Sequence, residues 1–532
     1  MSSSLGDEIE SGVCERLLEP KEKIVMRRIE VWMVCLVASS FLLTEQDNAL
    51  LAQEPKRPNV VLVMADDMGY AQTSYYGHSL LRTPELDRLA RGGLRLDQFY
   101  AASAVCSPTR ASVLTGRSPE RTGVPSHGHA LRLQERSVAV AIREAGYVTG
   151  HFGKWHLDGL RGPGVPILAS DRFHPGRFGF DVWLSVTNFF DRDPIFSRRG
   201  KFEEFRGDSS EVIVDEMLDF AKRSVRSKQP FFAVVWYGTP HLPFRASPED
   251  IQSLVDAGED ADDKLARQQL VDRLDQESLN QCGELVAMDR SLGTLREGLS
   301  KLGALEQTLI WFCSDNGGLA QVKPSSTAPL RGHKSQLYEG GLRVPCVVHW
   351  PEVLRPNRIS RFPACTTDIA PTLVDLLQLP EQSLLSPTDG ISLASLLTER
   401  DWVETSERNE PIGFRFRGGS AVVDNQWKLL RLPKKKAGKP QQELYHLGKD
   451  IGETTNLAKK HPEVLDRLSG WLDDWNQSVA QSIAGKDYSE GHVDPNHPSP
   501  KFWTEEENYQ PFFDEWRQRP EYEERLREKA SS

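Results

Sequence analysis

Cysteine is scarce in this chain: seven occur in 532 residues, at Cys14, Cys35, Cys106, Cys282, Cys313, Cys346 and Cys365. They are scattered without the close spacings of a thiolate metal site or a disulfide-stapled scaffold. Cys313 and Cys346 sit in apolar, strand-like runs that suit buried free thiols, and one bridge among the last four stays open. Positive charge is also in the minority, with 65 basic against 76 acidic residues and a net charge of −11. That balance argues against nucleic acid as a partner, so any anionic ligand must be held by locally gathered cations. No internal repeat is present.

What is present is ample material for a core, 39% hydrophobic and 27% charged. The length exceeds the roughly 250–300 residues that one core usually supports, which predicts a large domain and a smaller one. Near the N-terminus, Met26-Arg27-Arg28 precedes the apolar run Val31 to Leu43 and a small-residue exit at Ala49-Leu50-Leu51-Ala52. A charged head and an apolar run too short for a comfortable span match a secretory signal, with a buried core helix as the alternative. Residues 1–53 are therefore read as a leader with a signal peptide at 26–52, and Met26 as a possible true start. The chain is expected to be exported, periplasmic or secreted, without a stable membrane span after processing.

Val60 to Ala65, Phe231 to Tyr237, Thr308 to Cys313 and Val344 to His349 are continuous apolar runs, as in strands covered on both faces. Helix-like segments alternate with them at Pro84 to Gly92, Ser137 to Ala145, Ser209 to Arg223 and Glu284 to Lys301. The alternation predicts an α/β fold with a large mixed, mainly parallel sheet sandwiched by helices over residues 54–400. Gln252 to Gln281 reads as an exposed helical insertion. Residues 401–485 read as a smaller α+β domain: "SAVVDNQWKLLRL" and "QQELYHL" as a short antiparallel sheet, a lysine-rich turn at Lys434 to Lys439 and a helix at His461 to Trp475. Residues 486–532 form a polar tail. Its Trp503 and Trp516, with Trp471 and Trp475 upstream, suit packing or stacking on sugar rings.

Ligands in open α/β sheets sit beyond the carboxyl ends of the strands. There the sequence places Asp66 and Asp67 after one run and Asp315 and Asn316 after another. Two neighbouring acids converge only where a strand has ended. Three carboxylates and an amide oxygen suit a hard divalent cation, Ca²⁺ or Mg²⁺. A cationic set accompanies them: Lys154 and His156, on one side if that segment is extended, His241 after a strand, Lys334, and Arg110 beside Cys106. Such groups at strand ends and glycine turns suit an oxyanion.

"PNVVLVMADDMGY", "CSPTRASVLTG", "GKWHL", "PHLPF", "SDNGG", "GHKSQLYEGGLRVP" and "ELYHLGKDIGETTNLA" resemble the motifs of the sulfatase family, within the alkaline-phosphatase-like superfamily, from Pro58 to Lys460. The resemblance implies that a sulfatase-maturing enzyme converts Cys106 to Cα-formylglycine, with Pro108 and Arg110 part of the signal it reads. It implies one Ca²⁺, or Mg²⁺, held by Asp66, Asp67, Asp315, Asn316 and the group at Cys106. It implies that the hydrated aldehyde attacks a sulfate ester while Lys154, His241 and Lys334 spread the sulfuryl charge. Arg110 anchors the hydrate and His156 takes the proton that frees sulfate. His241 and Lys334 are both candidates to protonate the departing alcohol. The implied substrate is a sulfated small molecule or glycan. His333 stands where many relatives have glycine.

Two rivals accompany this reading. A phosphodiesterase or phosphonate monoester hydrolase of the same superfamily shares the formylglycine. A carbohydrate-binding pseudoenzyme would keep Cys106 as a thiol.

Overall fold

Strand β1 (Asn59–Ala65) is buried at every residue but its first. Its two faces serve different cores. Val60, Leu62 and Met64 lie in one apolar cluster and Val61, Val63 and Ala65 in another. A strand apolar on both faces is stable only between two layers. The computed structural model describes residues 57–530 apart from 189–191, 400–406 and 434–439. The expected signal segment and the lysine-rich turn lie outside the described residues.

In chain order the other strands of the main sheet are β2 (Leu94–Leu96), β3 (Val148–Lys154), β4 (Val182–Val186), β5 (Ile195–Arg198), β6 (Lys201–Glu204), β7 (Phe231–Trp236), β8 (Thr308–Ser314), β9 (Cys346–His349) and β10 (Arg358–Ser360). They form one ten-stranded sheet in the order β10-β2-β9-β8-β1-β7-β3-β4-β5-β6. The five central strands β8, β1, β7, β3 and β4 run parallel. Antiparallel pairing begins at β9 on one side and at β5 on the other. The sheet is thus mixed and mainly parallel at its centre.

Helices α1 (Pro84–Gly92), α2 (Cys106–Thr115), α3 (Ser209–Arg226) and α4 (Gln276–Lys301) divide between the faces. Ala111 and Leu114 of α2 join the Val60 face, whereas Leu86 of α1, Met217 of α3 and Leu285 of α4 join the Val61 face. Helix α4 begins eight residues before the apolar pattern suggests, because the Asp275 side chain caps it by accepting from Ser278 N at 2.7 Å. The expected exposed insertion is not one free helix. It divides into Pro248–Asp256, Ala261–Val271 and the start of α4. Arg267 docks the middle piece, donating to Leu254 O at 2.7 Å and Leu80 O at 2.6 Å.

The smaller sheet comprises β11 (Ile412–Phe416), β12 (Gly419–Asp424), β13 (Trp427–Leu432) and β14 (Gln441–His446), antiparallel throughout. Helix α5 (Pro462–Ile483) covers one face, with Leu468, Leu472 and Val479 against Val422, Leu429 and Leu444. The other face, through Phe414, Ala421 and Leu430, packs on Ala102, Ala104 and Val105, the residues that lead into Cys106. The last segment wraps the main domain: Lys501–Phe502 pairs in parallel with Leu160–Arg161. Trp503, Tyr509, Trp516 and Tyr522 are buried beside it, which settles Trp503 and Trp516 as packing residues. The five described cysteines are all buried free thiols.

Candidate active site

Strand β1 ends at Ala65, and two residues later Asp67 adopts a left-handed φ of 65°. Ala65 is the register partner of Ser314 at the end of β8, which brings Asp315 and Asn316 level with the first acid pair. The backbone N–H of Asp67 donates to Asp315 Oδ1 at 3.1 Å, and Asn316 Nδ2 donates to Asp67 Oδ1 at 2.7 Å. Non-glycine residues in this backbone region cost roughly 1–3 kcal/mol, so surrounding contacts must hold them.

Cys106 is the first residue of α2, and the entire helix is buried. One turn further, Arg110 donates from Nη2 and Nε to Asp315 Oδ2 at 2.7 and 3.2 Å. Its Nη1 reaches Lys154 O at 3.2 Å, and its guanidinium lies 5.2 Å over the Trp236 ring. Lys154, the last residue of β3, donates to Asp66 Oδ2. Lys334 Nζ donates to Asp67 Oδ2 at 2.6 Å and lies 3.3 Å from His241 Nε2. His241 Nδ1 donates to Leu242 O at 2.6 Å. His156 departs from the extended geometry the sequence suggests. The chain turns left-handed there, φ 56°, and its N–H is tied to Thr187 O at 2.7 Å. Its electrostatic neighbours still include Lys154, Arg110 and His241. Every residue picked out for chemistry from the sequence therefore lies in one place.

The charges act strongly on one another because water is excluded. Burial alone would raise the Asp66 carboxyl, but Lys154, His241, Arg110 and Lys334 outweigh it and hold it well below the usual range. Burial and the adjacent Asp66 push Asp315 up to about 7. Burial raises the Cys106 thiol. Burial, then Lys154 and Arg110, hold the His156 imidazole well below its usual value, and burial with Lys334 lowers His241 to about 4. Both rings are thus neutral near pH 7.

Two buried oxygens, Asp66 Oδ1 and Asn316 Oδ1, have no hydrogen-bond partner. Ligand atoms of Asp66, Cys106 and Asp315 lie within 4.8 Å of one another, as do those of Asp66, Asp67 and His241. Orphaned oxygens among crowded carboxylates fit a hard divalent cation, which would satisfy both deficits at once.

Sequence reasoning missed the support beneath the site. Lys428 of β13, fully buried, pairs with Glu339 at 2.8 Å and Glu453 at 3.0 Å, tying the small sheet to the segment after Lys334. The three residues lie in three separate stretches, Glu339 in "GHKSQLYEGGLRVP", Lys428 in "SAVVDNQWKLLRL" and Glu453 in "ELYHLGKDIGETTNLA", and nothing in any of them signals the pairing.

Carboxylates, orphaned oxygens and the cations paired with them meet at the carboxyl ends of parallel strands, an arrangement that suits a hydrolase of oxyanion esters on an alkaline-phosphatase-like fold. The family model for Sulfatase matches residues 58–379, more than half of the chain, and the chain belongs to the sulfatase family. It is 27% identical over 491 residues to the N-acetylgalactosamine-6-sulfatase of Canis lupus familiaris, covering 78% of this chain and 85% of that protein. It is 32% identical over 361 residues to arylsulfatase A of Homo sapiens, covering 64% and 68%. Among solved structures, that of Ps i-CgsB in complex with k-i-k-neocarrahexaose superposes with a TM-score of 0.67 at 24% identity, covering 86% of this chain and 99% of that one. No helix among the described residues is long and apolar enough to cross a membrane.

Proposed function

We propose that the chain hydrolyses sulfate esters of glycans, with Cys106 matured to Cα-formylglycine and one Ca²⁺ or Mg²⁺ held by Asp66, Asp67, Asp315 and Asn316. The observation that carries this is the convergence of Cys106, the four oxygen ligands and Lys154, Lys334 and His241 on one buried point. Maturation takes the Cβ of Cys106 from thiol to aldehyde with loss of its sulfur, the oxidant being supplied by the maturing enzyme. When bound, the cation supplies Lewis-acid activation, and the hydrated aldehyde supplies one hydroxyl for attack on sulfur and a second to expel sulfate.

This chain's side chains do the rest. Arg110, anchored on Asp315, fixes the carboxylate and presents positive charge at the helix start. Lys154 and Lys334 neutralise charge that develops on the sulfuryl oxygens. His156 is a neutral base whose Nδ1 has no hydrogen-bond partner, ready for the proton released when sulfate departs. Because His241 Nδ1 donates to Leu242 O, its Nε2 carries the lone pair and faces Lys334 Nζ. That tautomer makes Lys334 the acid for the departing alcohol and His241 its positioning partner. The glycan assignment draws on relatives named for N-acetylgalactosamine sulfate and bound to a neocarrahexaose.

Mass spectrometry of the peptide spanning Ala101 to Arg110, from protein made in its native host, tests the reading. We expect formylglycine at position 106, and sulfate release from an aryl sulfate in preference to hydrolysis of an aryl phosphodiester. An unmodified thiol in that protein overturns the catalytic reading and leaves the pseudoenzyme.

A further inference from the structure

Positive charge near Cys106 extends beyond Lys154 and Lys334. Ser107, next to Cys106, accepts from Gly128 N at 3.0 Å, which pins the loop carrying His127 against the start of α2. Gly128 has a φ of 74°, and a Cβ there would lie 2.4 Å from Arg161 Cγ, so Arg161 crosses that glycine alongside His127. Arg161 is itself fixed by register pairing with Phe502 of the wrapping segment. From the small sheet, Arg417 occupies the β11–β12 hairpin tip with a left-handed φ of 47°. Gly419, two residues on, packs against Leu337, three residues beyond Lys334.

The four charges that act most strongly on the His127 ring are Arg161, Lys334, Lys154 and Arg417, all positive; burial first and then these charges lower it to about 4. Among the described residues neither Arg161 nor Arg417 has a carboxylate partner, and Arg161 Nε is buried without any hydrogen bond. Planar guanidinium groups without counter-ions match sulfate and carboxylate groups in both geometry and charge.

We infer that His127, Arg161 and Arg417 form a second oxyanion subsite beside the sulfate pocket, which holds a further sulfate or carboxylate of the same glycan. This rests on the sulfatase reading above and narrows its substrate to sugars with at least two anionic groups, one cleaved and one held. The wrapping segment then has a role in recognition, since it fixes the backbone of Arg161.

Three sugars test this: a monosulfated neutral disaccharide, its disulfated counterpart, and a monosulfated disaccharide bearing a uronate. For the full matured chain, kcat/KM for at least one dianionic sugar should exceed that for the neutral one by about tenfold or more, the effect of one charge-assisted hydrogen bond, mainly through KM. Arg161→Ala and Arg417→Ala should each erode that ratio, and Arg417→Lys should keep part of it. Calorimetry on the chain made without the maturing enzyme should rank the same sugars identically. No preference in either assay, or a preference that survives both alanine variants, overturns the subsite. If the calorimetric ranking holds while neither these sugars nor an aryl sulfate is hydrolysed by the chain from its native host, the subsite stands and the catalytic reading of Cys106 fails.

Discussion

Arg110 and Asp315, 205 residues apart in sequence, meet at 2.7 Å with both side chains fully excluded from solvent. The pair joins the helix that begins at Cys106 to the end of β8, so the position of Cys106 and that of Asp315 and Asn316 are one structural fact.

Removing one partner of a buried ion pair strands the other charge. Arg110→Ala should cost about 3–5 kcal/mol of unfolding free energy in denaturant titrations. Arg110→Lys should recover only part of it, because an ammonium cannot reproduce the fork on Asp315. A loss well under about 1 kcal/mol would mean that Asp315 does not depend on this guanidinium.

A cation that binds only the folded chain must stabilise it. After chelation, returning Ca²⁺ or Mg²⁺ should raise the thermal midpoint, in proportion to about 2.7 kcal/mol at one hundred times Kd. Asn316→Ala deletes an orphaned oxygen and should shrink that rise. An equal rise in the variant would remove Asn316 from the ligand set.

Gly153 precedes Lys154 with a φ of 103°, and a Cβ there would stand 2.1 Å from the Trp236 carbonyl oxygen. Gly153→Ala must push β3 away from β7 and carry Lys154 with it. Sulfate release should fall on the order of 10²-fold, as for a misplacement of about 1 Å, while circular dichroism shows a folded chain.

His78 titrates among other partners than the site's residues. Its Nδ1 accepts from Leu80 N at 3.1 Å and Leu81 N at 2.8 Å, and burial, then Arg82 and Arg267, lower it to about 4. As the pH falls from about 6.5 to about 4 the unfolded chain binds a proton that the native state refuses, so this residue's share of stability declines, by up to about 1.4 kcal/mol per unit, and levels off below. His78→Asn retains an acceptor without the titration. Urea midpoints at pH 7 and pH 5 should differ less in the variant than in the parent chain.

Trp503 is fully buried against Tyr509, Phe513, Trp516 and Tyr522. Trp503→Ala should lower stability by about 3–5 kcal/mol. A shift of only a few tenths, measured by thermal unfolding, would show that the wrapping segment is not coupled to the fold.

The sequence exposes the central strands because a strand covered on both faces must be apolar without interruption, as Val60 to Ala65 and Thr308 to Cys313 are. It exposes Asp66, Asp67, Asp315 and Asn316 for the same reason, since polarity returns abruptly where such a run ends. It conceals what depends on distant pairing. Nothing near Cys346 tells that its strand runs antiparallel to β8. The charges of the last segment conceal aromatic residues spaced to bury together, and no local pattern links Lys428 to Glu339 and Glu453. The His156 turn is likewise set by Thr187, outside any local motif.

Cys106 is 2% exposed, follows directly on Ala104 and Val105, which pack against the small sheet, and heads a helix with no open face. Any second protein that rewrites this side chain therefore works to a deadline set by folding itself. On the proposed function, a chain that folds first should shut out its own activation, and adding the modifying enzyme afterwards should not rescue it. Yield of active protein would then be a race between two rates, which slowing the closure around this helix should win.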